Sequence, residues 1–270
     1  MESKVEDRQR ERRAGIRHEV AIFSGKGGVG KSTFTANLAL ALSVKGYRVG
    51  VLDADLHGPS IPKILGMRGR RMEGGEEGGA PVEGPTGIKV VSLDFLLPDD
   101  RTPLIWRGPI KAMAIKQLLE EIQWGELDLL LIDLPPGTGD EPLSVMQELP
   151  EMDGVLLLTS PSELSALVVG RAVSFARKMG VRILGIVENM SSFTCPKCGE
   201  RVRIFGEGGG RKVAEEFGVP FLGEVPLDPD LSGDSDRGEP FLLKRPESPA
   251  ARAFLELAGR LEEELGLRKG

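Results

Sequence analysis

The stretch VAIFSGKGGVGKSTF, residues 20–34, decides how this chain must fold. A short apolar run ends in a glycine-rich turn that fits G-x-x-x-x-G-K-[ST] from Gly25 to Ser32, and helical spacing begins at Lys31. Glycines let backbone N–H groups turn inward around phosphate oxygens, and the following helix adds the positive end of its dipole. Gly25, Lys26, Gly27, Gly28, Val29, Gly30, Lys31, Ser32 and Thr33 are therefore candidate nucleotide-binding residues. Lys31 is placed to meet the outer phosphates and Ser32 to ligate Mg2+.

Working outward, the same strand-then-helix unit repeats. VAIFS, RVGVLD, IKVVSL, LDLLLID, GVLLLT, RILGIVEN and PFLGEVP are short runs rich in Val, Ile and Leu, as parallel strands buried on both faces require. Between them KSTFTANLALALSVKG, PIKAMAIKQLLEEI, SELSALVVGRAVSFARKMG and GRKVAEEFG carry helical spacing, several ended by glycine. The expectation is an α/β fold: a doubly wound, mostly parallel sheet with helices on both faces. Ligands in such folds gather at the carboxyl ends of the strands, so the residues just after each apolar run carry the chemistry.

The 270 residues suit one large α/β domain, taken as 19–270, after a charged N-terminal arm, 1–18, to which no chemistry is assigned. Residues 66–87, rich in glycine, charge and proline, read as a flexible surface excursion. The last helix places Phe254, Leu257, Leu261 and Leu265 on one stripe with an acidic opposite face, which suits packing against the domain and not an anionic membrane. A net charge of -6 and a pI near 5.3 argue against a sequence-independent grip on nucleic acid. No secretory leader or membrane-spanning run is evident, so a cytoplasmic protein is expected.

Three further sites follow from this reading. VLDADLHGPS sets Asp53 and Asp55 at the end of the second strand, where two carboxylates suit Mg2+ and an attacking water. LLLIDLPPGTGD puts Asp133 after another apolar strand, in position to hold Mg2+, with the N–H of Gly137 available to a terminal phosphate. Cys195 and Cys198, the only cysteines, form a C-x-x-C knuckle that could present two thiolates to zinc or to an iron–sulfur cluster, form a redox disulfide, or do nothing. Four-thiolate centres need more than one such pair, and His18 and His57, the only histidines, are remote in sequence. A second chain related by a twofold axis would supply the missing pair.

Lys26, immediately after the first glycine, gives the loop a resemblance to the deviant P-loop ATPases, which include the nitrogenase iron protein, MinD and ParA. SGKGGVGKST, DADLHGPS, WRGP, DLPPGTGDEPLS, ENMSSFTCPKCGE and IFGEGGG, in this order, resemble the Mrp-type (ApbC-like) iron–sulfur cluster carrier ATPases over nearly the whole chain after the arm. The resemblance implies an ATP hydrolase, slow and switch-like, that binds a [4Fe-4S] cluster at a homodimer interface and delivers it to apo iron–sulfur proteins. It implies that Lys26 reaches the partner subunit's nucleotide, that Asp55 orients the water, that Asp53 supports the metal region and that Asn189 hydrogen-bonds the adenine. ATP is favoured over GTP because no Asn-Lys-x-Asp motif occurs. His57 departs from the aromatic residue usual after Asp55, and neither an acidic accessory domain nor a cysteine-rich extension is expected.

Two other readings stay open. A MinD- or ParA-like positioning ATPase explains the P-loop but not the cysteines, and net charge opposes its membrane or DNA surface. A dimeric ATPase with a structural four-thiolate zinc keeps the dimer and makes the cysteines a clamp.

Overall fold

The computed structural model describes residues 15–55, 58–75, 78–96, 118, 121–149 and 152–269. The WRGP motif, His57, and most of the arm and of the PIKAMAIKQLLEEI helix lie outside the described residues.

Every apolar run read as a strand is one. β1 (Glu19–Phe23), β2 (Val49–Asp53), β6 (Lys89–Ser92), β7 (Leu129–Asp133), β8 (Gly154–Thr159), β9 (Ile183–Thr194) and β11 (Phe221–Leu227) make a parallel sheet. Two short antiparallel strands, β5 (Val82–Glu83) and β10 (Arg201–Val202), complete it in the order β10-β9-β8-β1-β7-β2-β6-β5, with β11 also paired to β9. β1 lies between β7 and β8, so the loop that follows it opens where the winding reverses, the usual ligand crevice of such sheets.

Side chains alternate across each strand, and the two faces build two separate cores. Val20, Ile22, Leu129 and Leu131 meet Leu38 of α1 (Lys31–Val44) and Phe254, Leu257 and Leu261 of α8 (Pro249–Leu265). Ala21, Phe23, Leu130 and Ile132 meet α3 (Asp140–Gln147), α4 (Glu163–Lys178) and α5 (Gly209–Phe217) through Val145, Val169, Val173 and Val213. The interior strands are covered on both sides, which is why their sequences are continuous apolar runs and not alternating ones. Ser162 and Ser248 start α4 and α8 by accepting the N–H of Ser165 and Ala251.

The described residues of 66–87 form a surface excursion that is tied to the domain at several points. Met67 is fully buried, Met72 packs on both cores, and β5 pairs antiparallel with β6. Within the interval β3 (Gly74–Gly75) pairs with β4 (Gly78–Gly79), and the N–H of Gly84 meets the carbonyl of Ile88 at 2.7 Å. Buried Met67 and partly buried Met72 anchor a segment that an average over glycine and charge describes as loose.

The last residues of the arm are likewise held. Ile16 bridges Leu127, Arg17 lies 3.2 Å from Asp128, and His18 Nδ1 lies 3.0 Å from Asp153. Between β2 and β3 the chain makes a single turn of helix, α2 (Ile61–Ile64). After β11 it forms a polar helix, α6 (Pro229–Arg237), and a single apolar turn, α7 (Phe241–Lys244), whose Phe241 and Leu242 enter the core. No described helix is long and apolar enough to cross a membrane.

Candidate functional site: a phosphate loop and a cysteine knuckle on one strand

The turn from β1 into α1 can close only with glycine at two of its positions. A Cβ on Gly25 would come within 2.7 Å of both the Val168 side chain and its carbonyl oxygen, so α4 packs directly on the start of the loop. Gly30 caps α1 in the left-handed conformation, φ 79°, and a Cβ there would fall 2.6 Å from Asn189 Nδ2. The loop curls over a cleft of about 240 Å³ lined by Ser24, Lys26 through Thr33, Asp55, Ser60 and Pro136. Gly25, Asp53, Asp133 and Asn189, also expected here, do not line the cleft.

Asp133 sits fully buried behind the cleft and organises it. Its Oδ2 accepts from Lys31 Nζ at 2.8 Å and from Ser32 Oγ at 2.6 Å, and its Oδ1 accepts from Thr35 Oγ1 at 2.7 Å. Ser32 donates its hydroxyl hydrogen bond to Asp133, so the lone pairs of its Oγ remain for a hard cation at the cleft. This donor set fits Mg2+ held by Ser32, with Asp133 orienting the hydroxyl from behind.

Asp53 adjoins this group but is taken up by the chain around it. Its Oδ2 accepts from the N–H groups of Ser60 and Ile61 at 3.1 and 3.2 Å and from Ser92 Oγ at 3.3 Å, and its Oδ1 from the N–H of Asp55 at 3.3 Å. Burial, reinforced by the Asp133 carboxylate, pushes the Asp53 carboxyl up to about 8, against the opposing pull of Lys31 and of the Ile61 N–H. Asp53 thus fixes the loop that carries Asp55 to the cleft wall. The N–H of Gly137 is donated to the carbonyl of Ser24 at 2.9 Å.

Asn189 stands at the back of the phosphate loop, its Nδ2 donating to the carbonyl of Val29 at 2.8 Å. Its neighbour Glu188 accepts the N–H of Gly210 at 2.7 Å and so ties β9 to the first turn of α5. β9 then runs beyond the end of β8, whose Thr159 pairs with Glu188, and on this extension Phe193 pairs with Val202 of β10 and Leu227 of β11. Arg201 locks the extension by donating to Ser192 Oγ at 2.6 Å.

The C-x-x-C forms the turn between β9 and β10. The N–H of Cys195 meets the carbonyl of Glu200 at 2.9 Å and the N–H of Gly199 meets the carbonyl of Cys195 at 2.8 Å. N–H groups of Cys198 and Lys197, and the Cys198 thiol, hold the Cys195 thiol below the ordinary cysteine range, which favours the thiolate that metals bind. Cys198 is exposed and Cys195 half-buried, and both are free. Among the described residues no three His, Cys, Asp or Glu side chains converge as a metal site, and the knuckle presents two thiols.

A family model described as ParA: NUBPL iron-transfer P-loop NTPase matches residues 15–262. This chain belongs to that family. It is 54% identical over 246 residues to the iron-sulfur cluster carrier protein of Saccharolobus solfataricus, covering 91% of this chain and 83% of the relative. A solved nucleotide-binding protein of Archaeoglobus fulgidus, in complex with ADP, is 44% identical with a TM-score of 0.77, covering 87% of this chain and 92% of that one. The cell division protein MinD of Aquifex aeolicus, 24% identical with a TM-score of 0.66 over 91% of this chain and 97% of its own, shows the fold alone.

In this NTPase three contributors went unread in the sequence. Thr35 is one turn beyond Lys31 on α1, and that spacing is the pattern that could have marked it as a second hydroxyl for Asp133. Ser60 and Pro136 line the cleft from loops whose course no periodicity announces.

Proposed function

We propose that this iron-transfer P-loop NTPase binds and slowly hydrolyses ATP as a switch, and carries a [4Fe-4S] cluster between two copies of itself for delivery to apo iron–sulfur proteins in the cytoplasm. The observation that carries the reading is the placement of Cys195 and Cys198 at the exposed end of the strand whose Asn189 touches the phosphate loop. Four thiolates, two from each copy, would hold the cluster as cargo at the surface, where an acceptor's own thiolates can displace them.

In this reading Gly25 to Thr33 wrap the phosphates, Lys31 neutralises the outer ones, and Lys26 reaches the nucleotide of the partner subunit. Asp55 orients the water, Asn189 reads the adenine, and Ser32, Asp53 and Asp133 serve the metal region. Mg2+ would supply charge neutralisation at the phosphate oxygens. The ADP bound by the Archaeoglobus fulgidus relative favours an adenine nucleotide.

The test is anaerobic reconstitution of the full chain with iron and sulfide, followed by Mössbauer spectra, metal analysis and solution mass. About four iron and four sulfide per pair of chains is the expected result. One zinc per pair and no sulfide would make the cysteines a clamp. A Cys195→Ala, Cys198→Ala double variant that still transfers cluster would falsify the carrier reading.

A further inference from the structure

The cysteine knuckle belongs to a longer excursion of the chain, and one buried carboxylate closes that excursion at its base. Glu188 is the last residue of β9 with β8 beside it, paired with Thr159, and on its other side it pairs with Glu224 of β11. From Asn189 the chain runs out along β9, turns through Cys195 and Cys198, comes back as β10 and re-enters the body of the protein at residues 208–210, where α5 begins. The Glu188 side chain, 3% exposed, meets it there, its Oε2 accepting the N–H of Gly210 at 2.7 Å.

The returning limb is built to bring backbone onto this carboxylate. Gly208 caps α5 in the left-handed conformation, φ 66°, and has no side chain to offer the first-turn N–H groups. Glu188 supplies that acceptor from the neighbouring strand. A Cβ on Gly210 would fall 2.9 Å from Thr159 Cγ2 and 3.2 Å from Glu188 Oε2, and one on Gly209 would fall 2.6 Å from the Pro161 carbonyl, so glycine lets α5 start this close to the sheet. Burial, reinforced by the Glu224 carboxylate, pushes the Glu188 carboxyl above the usual range, and the N–H groups of Gly210 and Gly208 and the Arg211 cation oppose that rise.

Successive residues of a strand face opposite sides of the sheet. Asn189 shares the α1 side with Val187 and donates to Val29 of the phosphate loop, whereas Glu188 shares the α5 side with Ile186. We infer that Glu188 is the positioning residue through which occupancy of the phosphate loop reaches the cysteine knuckle, an inference that rests on reading that loop as a nucleotide site. A nucleotide that fixes the loop fixes β9 through Asn189, and Glu188 passes the constraint across the sheet to the start of α5. Both limbs of the cysteine excursion are then held at once. The β9–β10 pairing and the Arg201–Ser192 bond keep the hairpin together by themselves, so what Glu188 adds is where the hairpin stands and not its form.

The test is the rate at which iodoacetamide alkylates Cys195 in the reduced, metal-free full chain, with and without saturating Mg-ADP, for the wild type, Glu188→Gln and Glu188→Ala, with exposed Cys198 as the internal comparison. In the wild type, half-buried Cys195 is expected to react at least about fivefold more slowly when ADP is bound. Gln offers one acceptor oxygen to two N–H donors and should keep less than about half of that protection, and Ala should keep none. Calorimetric titration with ADP on the same samples separates lost transmission from lost binding, and melting curves report the fold. If Ala melts early, Gln, which keeps the volume, carries the test. A merely structural Glu188 would lower the melting temperature and leave the ratio of rates with and without ADP unchanged, and that outcome overturns the proposal. So would a wild-type Cys195 that ignores bound ADP, or protection that disappears on dilution, since a second copy and not β9 would then shield the thiol. A wild type that does not bind ADP would remove the nucleotide reading and this inference with it. Because the protein is metal-free, failure to assemble a cluster in a parallel reconstitution would remove the carrier reading and leave this inference standing.

Discussion

Asn189 donates its side-chain amide to the carbonyl of Val29 at 2.8 Å, and the strand that carries Asn189 ends one residue before Cys195. A single strand therefore touches the phosphate loop at one place and presents the cysteine pair just beyond its end. Met190, held at φ 59°, takes a left-handed turn within this strand directly beside the phosphate loop. Replacing Asn189 with alanine removes the strand's hydrogen bond to the loop. A loss of about 1 kcal/mol is expected, seen in calorimetric titration as an adenine-nucleotide affinity several-fold weaker. Unchanged affinity would show that the loop holds its shape without β9.

Thr35→Val tests the support behind the cleft. Thr35 is fully buried and hydrogen-bonds the Asp133 carboxylate at 2.7 Å and the Lys31 carbonyl at 3.0 Å. Valine keeps the shape and removes the hydroxyl, whose single hydrogen lies between these two acceptors with the buried carboxylate the nearer. Urea unfolding should show a loss of about 2 kcal/mol, with Thr35→Ser recovering most of it. Equal stability of the Val and Ser variants would mean that Lys31 and Ser32 alone satisfy Asp133.

The parallel strands were legible because burial on both faces writes an unbroken apolar run into the sequence, and the phosphate loop because its glycines must sit at fixed spacing. The polar helix α6 was not legible. Its residues PDLSGDSDR carry no apolar stripe, and it is held by Asp228 at its N-cap and by ion pairs. Neither was the overrun of β9 past β8, because its stop depends on where a neighbouring strand ends, a tertiary fact. The site divides the same way. Most residues that touch the cleft announced themselves by motif, Ser60 and Pro136 excepted, whereas Asp53 is held by the N–H groups of Ser60 and Ile61 and by Ser92, which only the fold brings together.

Asp234 on α6 makes the acid limb of stability testable. Its carboxylate is wholly buried and accepts from Arg245 Nε at 2.7 Å, from Lys244 Nζ at 2.9 Å and from Arg237. Arg245, then Lys244 and Arg237, hold its carboxyl far below the usual range, against the opposing effect of burial. A depressed carboxyl stabilises the fold fully above the unfolded-state pKa, near 3.9, and loses that contribution as pH falls through the folded value. Asp234→Asn should therefore be less stable than wild type at pH 7, and the gap should begin to close as pH falls below about 4 and narrow progressively with further acidification. A gap that stays constant with pH would assign the effect to packing and not to charge.

Gly199 closes the knuckle at φ 75°, where an added Cβ would meet nothing within 4 Å, so backbone strain is the only cost of a larger residue. Gly199→Ala should cost about 1 kcal/mol locally, and the turn will relax toward negative φ to avoid it. That movement carries the Lys197 and Cys198 N–H groups away from Cys195 Sγ, which they hold in reach of the thiolate form. In reduced, metal-free protein the pH at which Cys195 becomes alkylatable should rise, and reconstituted protein should lose iron faster under chelation. An unchanged alkylation profile with unchanged iron retention would show that the sequence Cys-Pro-Lys-Cys sets the thiol geometry without help from the left-handed glycine.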